Sequence, residues 1–156
     1  MKTATRGNAA EAAVMSALVQ RGYDVLLPFG EGHPFDLVIY LQGRFIRVQV
    51  KTAWVRQGCI HFNPYATDHG KGPGSYVGLA DLFGVFSPLT RDTYLVPLDE
   101  VAVHSARLRI EPTRNNQSRR VRYAEQFEIA SWSDDRLLST LDESLGSDQL
   151  HLEAMR

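Results

Sequence analysis
The sequence predicts a single α/β domain, on three observations. An amphipathic helix opens the chain. Two apolar, β-branched runs meet across a turn pair at residues 36–51. Short strand-like segments separated by turn residues follow to about residue 130. At 156 residues the chain is long enough for a real core. Residues 131–156 read as an acidic, helical C-terminal extension.

Asn8 is the expected N-cap of the first helix. Ala10, Ala13, Val14, Ala17 and Leu18 follow at helical spacing, and Gly22 closes it. Tyr23–Leu27 reads as a strand and Pro28–His33 as a loop. Asp36–Leu41 (DLVIYL) and Arg44–Lys51 (RFIRVQVK) form a hairpin around Gln42-Gly43. Gly58–Phe62 reads as a strand, Pro64–Ser75 as a loop by composition, and Leu82–Phe86 and Thr93–Val96 as further strands. Pro97–Ser105 resembles a short helix. Leu108–Ile110 and Phe127–Ala130 are late strands, and Ser133 starts a helix through about Leu145.

The hairpin carries the chemistry. With a loop of two or four residues, Leu41 faces Arg44, Val38 faces Arg47 and Asp36 faces Gln49. A three-residue loop would flip one strand's faces. In the first register Asp36, Val38, Tyr40, Phe45, Arg47, Gln49 and Lys51 share one face. Leu37, Ile39, Ile46, Val48 and Val50 form the core face. Opposed side chains stand roughly 5 Å apart at Cβ, so Asp36 and Gln49 can bind one ion, with Lys51 one step along. An acid, an amide and an ammonium in this order suit a divalent metal and a phosphate. Glu11 lies on the edge of the helix's apolar stripe. It either answers the helix dipole or joins the hairpin site, where a metal or Lys51 would be its partner.

Composition bounds the rest. The chain is 44% hydrophobic and 22% charged, ordinary for a soluble globular protein. No run approaches the roughly 20 apolar residues of a transmembrane helix. The N-terminus lacks the apolar core of a signal peptide, and a lone cysteine, Cys59, fits a reducing cytoplasm. Net charge is −1, but its distribution is uneven. Arg107, Arg109, Arg114, Arg119, Arg120 and Arg122 stand against Glu111 alone, ahead of the acidic C-terminus. That band is either a phosphate-contacting surface or a solvated loop. Arg114, Asn116, Gln117, Arg119 and Arg120 carry side chains that contact base edges or phosphates. Arg47 reaches a phosphate or forms a surface ion pair. Lys71, in a glycine-rich loop, approaches a backbone or simply connects strands. Trp54, Phe62, Tyr76, Phe83 and Phe86 read as packing, and Asp81 as a turn residue.

The helix with Glu11, the strand, and the Asp36…Gln49-x-Lys51 hairpin resemble the PD-(D/E)XK nuclease core. The pieces GNAAEAAVMSALVQRGYDVLLPFG, HPFDLVIYLQGRFIRVQVKTA, DLFGVF…TYLVPL and the arginine-rich approach to YAEQFEI are most similar to the intron-encoded PD-(D/E)XK homing endonucleases, over roughly residues 6–130. The resemblance implies a restriction-endonuclease-like core, a central mixed β-sheet flanked by helices. It implies Mg2+ held by Asp36, Gln49, the Val50 carbonyl and Glu11, with Lys51 catalytic, and double-stranded DNA as substrate. It also implies a homo-oligomer, dimer or tetramer. Two positions depart from the common motif. Phe35 separates Pro34 from Asp36, and Gln49 replaces a carboxylate, as it does in the intron-encoded branch. A junction resolvase or a restriction-type nuclease shares this core, and a DNA-binding module with a decayed site is the non-enzymatic alternative.

Overall fold
The computed structural model describes residues 1–68, 72–101, 105–115 and 121–141. In chain order the elements are helix α1 (Thr3–Gln20), β1 (Asp24–Leu26), β2 (Leu37–Leu41), β3 (Arg44–Thr52), β4 (Trp54–Arg56), β5 (Cys59–Phe62), β6 (Ala66–Asp68), β7 (Gly72–Gly74), β8 (Leu82–Phe86), β9 (Thr93–Pro97) and β10 (Ala106–Arg109). Helix α2 runs over residues 134–141. The main sheet has the order β1-β2-β3-β8-β9, and a second sheet the order β10-β5-β4. In the main sheet β3 and β8 run parallel and the other neighbours antiparallel, so the sheet is mixed, as expected.

The hairpin takes the two-residue register. Leu41 pairs with Arg44 and Val38 with Arg47. Gln42 and Gly43 have φ of 50° and 77°, the paired left-handed geometry whose twist matches a tight hairpin. Every residue assigned to the core face is buried: Leu37, Ile39, Ile46, Val48 and Val50.

Three layers result. Ala10, Val14 and Leu18, four residues apart on α1, pack with the hairpin's core face, Leu82 and Leu95. Gly84 on β8 makes this approach close, because a Cβ there would stand 2.9 Å from Val14 Cγ1 and 3.0 Å from Val48 Cγ1. On the other face of β8 and β9, Phe83, Val85, Tyr94 and Val96 pack with Ile60, Phe62, Ala106 and Leu108 of the second sheet. Gln49 and Lys51 pair with Phe83 and Val85, and so project to that same side.

Several elements differ from expectation. Helix α1 begins at Thr3, with Lys2 as an N-cap that makes no side-chain capping bond. Thr52 Oγ1, at the end of β3, donates to Arg6 O in the helix's first turn at 3.4 Å. The glycine-rich loop contains a short antiparallel pair, β6 with β7. Trp54 starts a strand of its own and is 46% exposed, against the packing role expected of it. The segment after Pro97 forms only a short 3-10 turn, Leu98–Glu100, and residues 102–104 lie outside the described set. Phe127–Ala130 is not a strand. Two 3-10 turns, Ala124–Phe127 and Ile129–Ser131, send Phe127 into one core cluster and Ile129 into the other. A flat strand pairing along its length could not serve two cores this way. The described part of the C-terminal helix covers 134–141, and its expected continuation to Leu145 lies outside the described residues.

Candidate active site
Asp36 sits one residue before β2, where its N–H donates to Val48 O at 2.9 Å. Val48 already pairs with Leu37, so this bond departs from the register, which would set Asp36 opposite Gln49, and the carboxylate turns toward β3. Asp36 Oδ2 accepts from the Val50 N–H at 2.7 Å and from Gln49 Nε2 at 2.6 Å. Gln49 Nε2 also donates to Val50 O at 3.3 Å. The amide nitrogen therefore lies between a carboxylate oxygen and a carbonyl oxygen, both of which only accept. Those two oxygens converge on one point, which the partly positive NH2 group occupies.

Charge is concentrated here under partial burial. Burial pushes the Asp36 carboxyl above its ordinary range, against the opposing pull of the Val50 N–H and the Lys51 ammonium. Burial also raises Glu11, with the Asp36 carboxylate adding repulsion. Glu11 on the helix thus lies within electrostatic reach of Asp36. Burial lowers Lys51, and Asp36 works against that shift.

Lys51 is held by partners that no pattern in the sequence announced. Its Nζ donates to Tyr65 O at 3.1 Å and to Tyr76 Oη at 3.0 Å, and lies 4.7 Å from the centre of the Tyr76 ring. Tyr76 is buried and meets Phe83 edge to face at 5.8 Å. It is a core residue, as expected, and also the seat of the lysine. Burial raises the Tyr76 phenol, with repulsion from Asp36 adding to it.

Arg47 points along the same strand face but is bound to a different group. Its Nε and Nη2 bond Asp81 at 3.1 and 2.9 Å, its backbone N–H bonds Asp81 Oδ2 at 2.8 Å, and Nη1 donates to Gly78 O at 2.9 Å. Asp81 is buried, and its N–H returns a bond to Arg47 O. The pair clamps the 76–81 loop, which carries Tyr76, onto β3. Asp81 stands immediately before β8, where the sequence reads as a turn, and only its burial in the structure separates the clamp from that reading.

The structure brings Asp36, Gln49 and Val50 into hydrogen-bond contact, with Lys51 next along β3 and Glu11 within electrostatic reach of Asp36. Arg114 is exposed in a turn apart from them in the chain. Lys71, Asn116, Gln117, Arg119 and Arg120 lie outside the described residues. The donor set for a cation is two carboxylates, an amide and a carbonyl, all hard oxygen donors once the amide turns its oxygen inward. Among the described residues no group of three or more His, Cys, Asp or Glu side chains forms a metal site, and a cation held here would also need the amide and the carbonyl. No described helix is long and apolar enough to cross a membrane.

Compared with known protein families, residues 1–130 match the PD-(D/E)XK endonuclease. Among solved structures, a bacterial homing endonuclease, I-Ssp6803I, superposes with a TM-score of 0.68 at 21% sequence identity, covering 83% of this chain and 90% of that one. At that identity the likeness speaks for the fold. No curated protein matches in sequence.

Proposed function
This chain belongs to the PD-(D/E)XK endonuclease family, and on that premise we propose that it is a Mg2+-dependent, site-specific endonuclease of double-stranded DNA, of the homing type. Family membership makes it a nuclease acting on DNA, and such nucleases typically use divalent metal ions. The observation that carries the finer reading is the convergence of Asp36 Oδ2 and Val50 O on the Gln49 amide, beside a lysine fixed by two acceptors. Gln49 at this position and the fold shared with a homing endonuclease support the homing assignment.

Asp36, the Gln49 oxygen and the Val50 carbonyl would hold the cation, with Glu11 as a further ligand, direct or through water. A bound divalent cation supplies charge to polarise the phosphate and lowers the pKa of bound water. Lys51 offers its remaining N–H to the attacking water or to the negative charge gathering on the phosphoryl oxygens. Tyr76 and Tyr65 hold the ammonium for that task. Cutting both strands requires two active sites, so a homo-oligomer, dimer or tetramer, fits a two-fold target.

The test is plasmid cleavage with Mg2+ alongside DNA binding measured in chelator. Asp36→Asn and Lys51→Ala are expected to abolish cleavage and leave binding largely intact. Equal loss of cutting and binding would remove these residues from the catalytic machinery.

A further inference from the structure
The second sheet presents a face that none of the catalytic residues uses. Its inner side chains, Val55, Ile60, Phe62, Ala106 and Leu108, pack on the main sheet. The strand register fixes what points outward. Trp54 pairs with His61 and His61 with Arg107, so these three form one row. Arg56 pairs with Cys59 and Cys59 with Arg109, forming the next. The outward positions therefore hold three arginines, a histidine, a tryptophan and Cys59, with no carboxylate in either row.

These groups are available. Trp54 is 46% exposed and stacks on His61, with ring centres 5.9 Å apart and planes 16° from parallel. Arg56 and Arg107 are exposed, and neither forms an ion pair among the described residues. The Arg109 guanidinium bonds the carbonyls of Glu111 and Pro112 and lies 3.7 Å from Cys59 Sγ, which props it in place without neutralising its charge.

The location is as telling as the composition. Strand β4 continues β3 after one residue, Ala53, so Trp54 stands three positions beyond Lys51. The second sheet lies on the side of the main sheet to which Gln49 and Lys51 project, opposite α1. Its outer face is thus turned to the same side of the molecule as the active site. A net charge of −1 for the chain makes this cluster of arginines a local feature, not a consequence of composition, and the Glu111 carboxylate packs against Gly58 at the end of the second row.

We infer that the outer face of β4, β5 and β10 is a DNA-docking surface, on which Arg56 and Arg107 take phosphates and Trp54 lies against the sugar–phosphate backbone. This rests on the nuclease reading. Duplex DNA suits the face because its charge is complementary and because β4 follows the active-site strand β3 after a single residue. Arginines that neutralise phosphates release counterions, so each lowers the salt slope of binding by about one when removed.

The experiment is binding of a short duplex in chelator, across a salt series, followed by fluorescence anisotropy and by tryptophan emission. The chain has two tryptophans, and Trp132 is buried, so DNA should quench Trp54 alone. The double variant Arg56→Gln/Arg107→Gln should weaken binding about tenfold or more and reduce the slope by about two, with an unchanged melting temperature. Trp54→Phe should abolish the DNA-dependent quench. If the double variant binds with unaltered affinity and slope while the wild type still cuts DNA, this surface is not the docking face and the nuclease reading stands. If the variant instead changes the oligomeric state without altering DNA binding, the face is a contact between copies and the inference is overturned. A wild-type protein that neither binds nor cuts DNA defeats both readings.

Discussion
Gln49 donates to the same two oxygens, Asp36 Oδ2 and Val50 O, that would hold a cation. The amide NH2 thereby stands in for positive charge, and cation binding requires it to turn its oxygen inward. A glutamate cannot play the first part and is better at the second. Gln49→Glu is therefore expected to keep cleavage and to bind the cation about tenfold more tightly, since ligand charge sets affinity in oxygen sites. In chelator it should melt lower at neutral pH. The sign follows from the carboxyls already present: burial raises Asp36 and Glu11, so the fold favours their protonated forms. That contribution is complete below the unfolded pKa and lost as pH rises through the folded one. A third carboxylate enlarges the loss, so the gap in melting temperature should close on acidification. Isothermal titration with Mg2+ and melting curves across pH check both halves. Tyr76→Phe isolates another single atom. It keeps the ring on Phe83 and under Lys51 and removes the acceptor for Nζ. A bond to a charged group at this level predicts about a tenfold fall in kcat, with KM and DNA affinity unmoved. A parallel rise in KM would instead mean that Tyr76 shapes DNA binding.

Elements set the distances between those residues. Helix α1, which carries Glu11, packs closely on the sheet because β8 offers Gly84 beneath Val14. A glycine inside an otherwise apolar strand marks such an approach. Gly84→Ala should cost about 1–3 kcal/mol in chemical denaturation, the range of an overpacked core. Because Glu11 rides on the helix, the same variant should weaken Mg2+ binding. Wild-type stability would show that Val14 and Val48 yield without moving the helix. The Arg47–Asp81 clamp acts at this scale too. Five bonds between Arg47 and the 78–81 stretch tie the loop bearing Tyr76 to the strand bearing Lys51.

The whole molecule is closed by segments that look peripheral in the sequence. The family match ends at residue 130, yet Trp132 and Leu137 are buried in the core beneath α1. Ending the chain after residue 130 should therefore destabilise it by at least about 3 kcal/mol, the scale of losing large buried side chains. Urea denaturation of the two lengths measures this. Equal midpoints would make 131–141 an accessory to the core, not part of it.

The hairpin was legible in the sequence because its information is local. A two-residue turn and a period-two pattern decide which side chains share a face, so Arg47, Gln49 and Lys51 could be aligned from the sequence, while Asp36 lies beyond the paired range and meets Gln49 through its side chain. The α/β class and the helix with Glu11 follow from the same kind of periodicity. The seat of Lys51, the Arg47–Asp81 clamp and the outward row of Trp54, His61 and Arg107 were not legible. Each joins residues from separate strands or loops, and composition does not encode which strands become neighbours. Trp54 shows the difference most plainly: its apolar ring predicts burial, but packing one face of a three-stranded sheet leaves the other to solvent, and the register put Trp54 there. Local pattern determined the chemistry of the site. Tertiary pairing decided what holds that chemistry in place and which surface stands beside it.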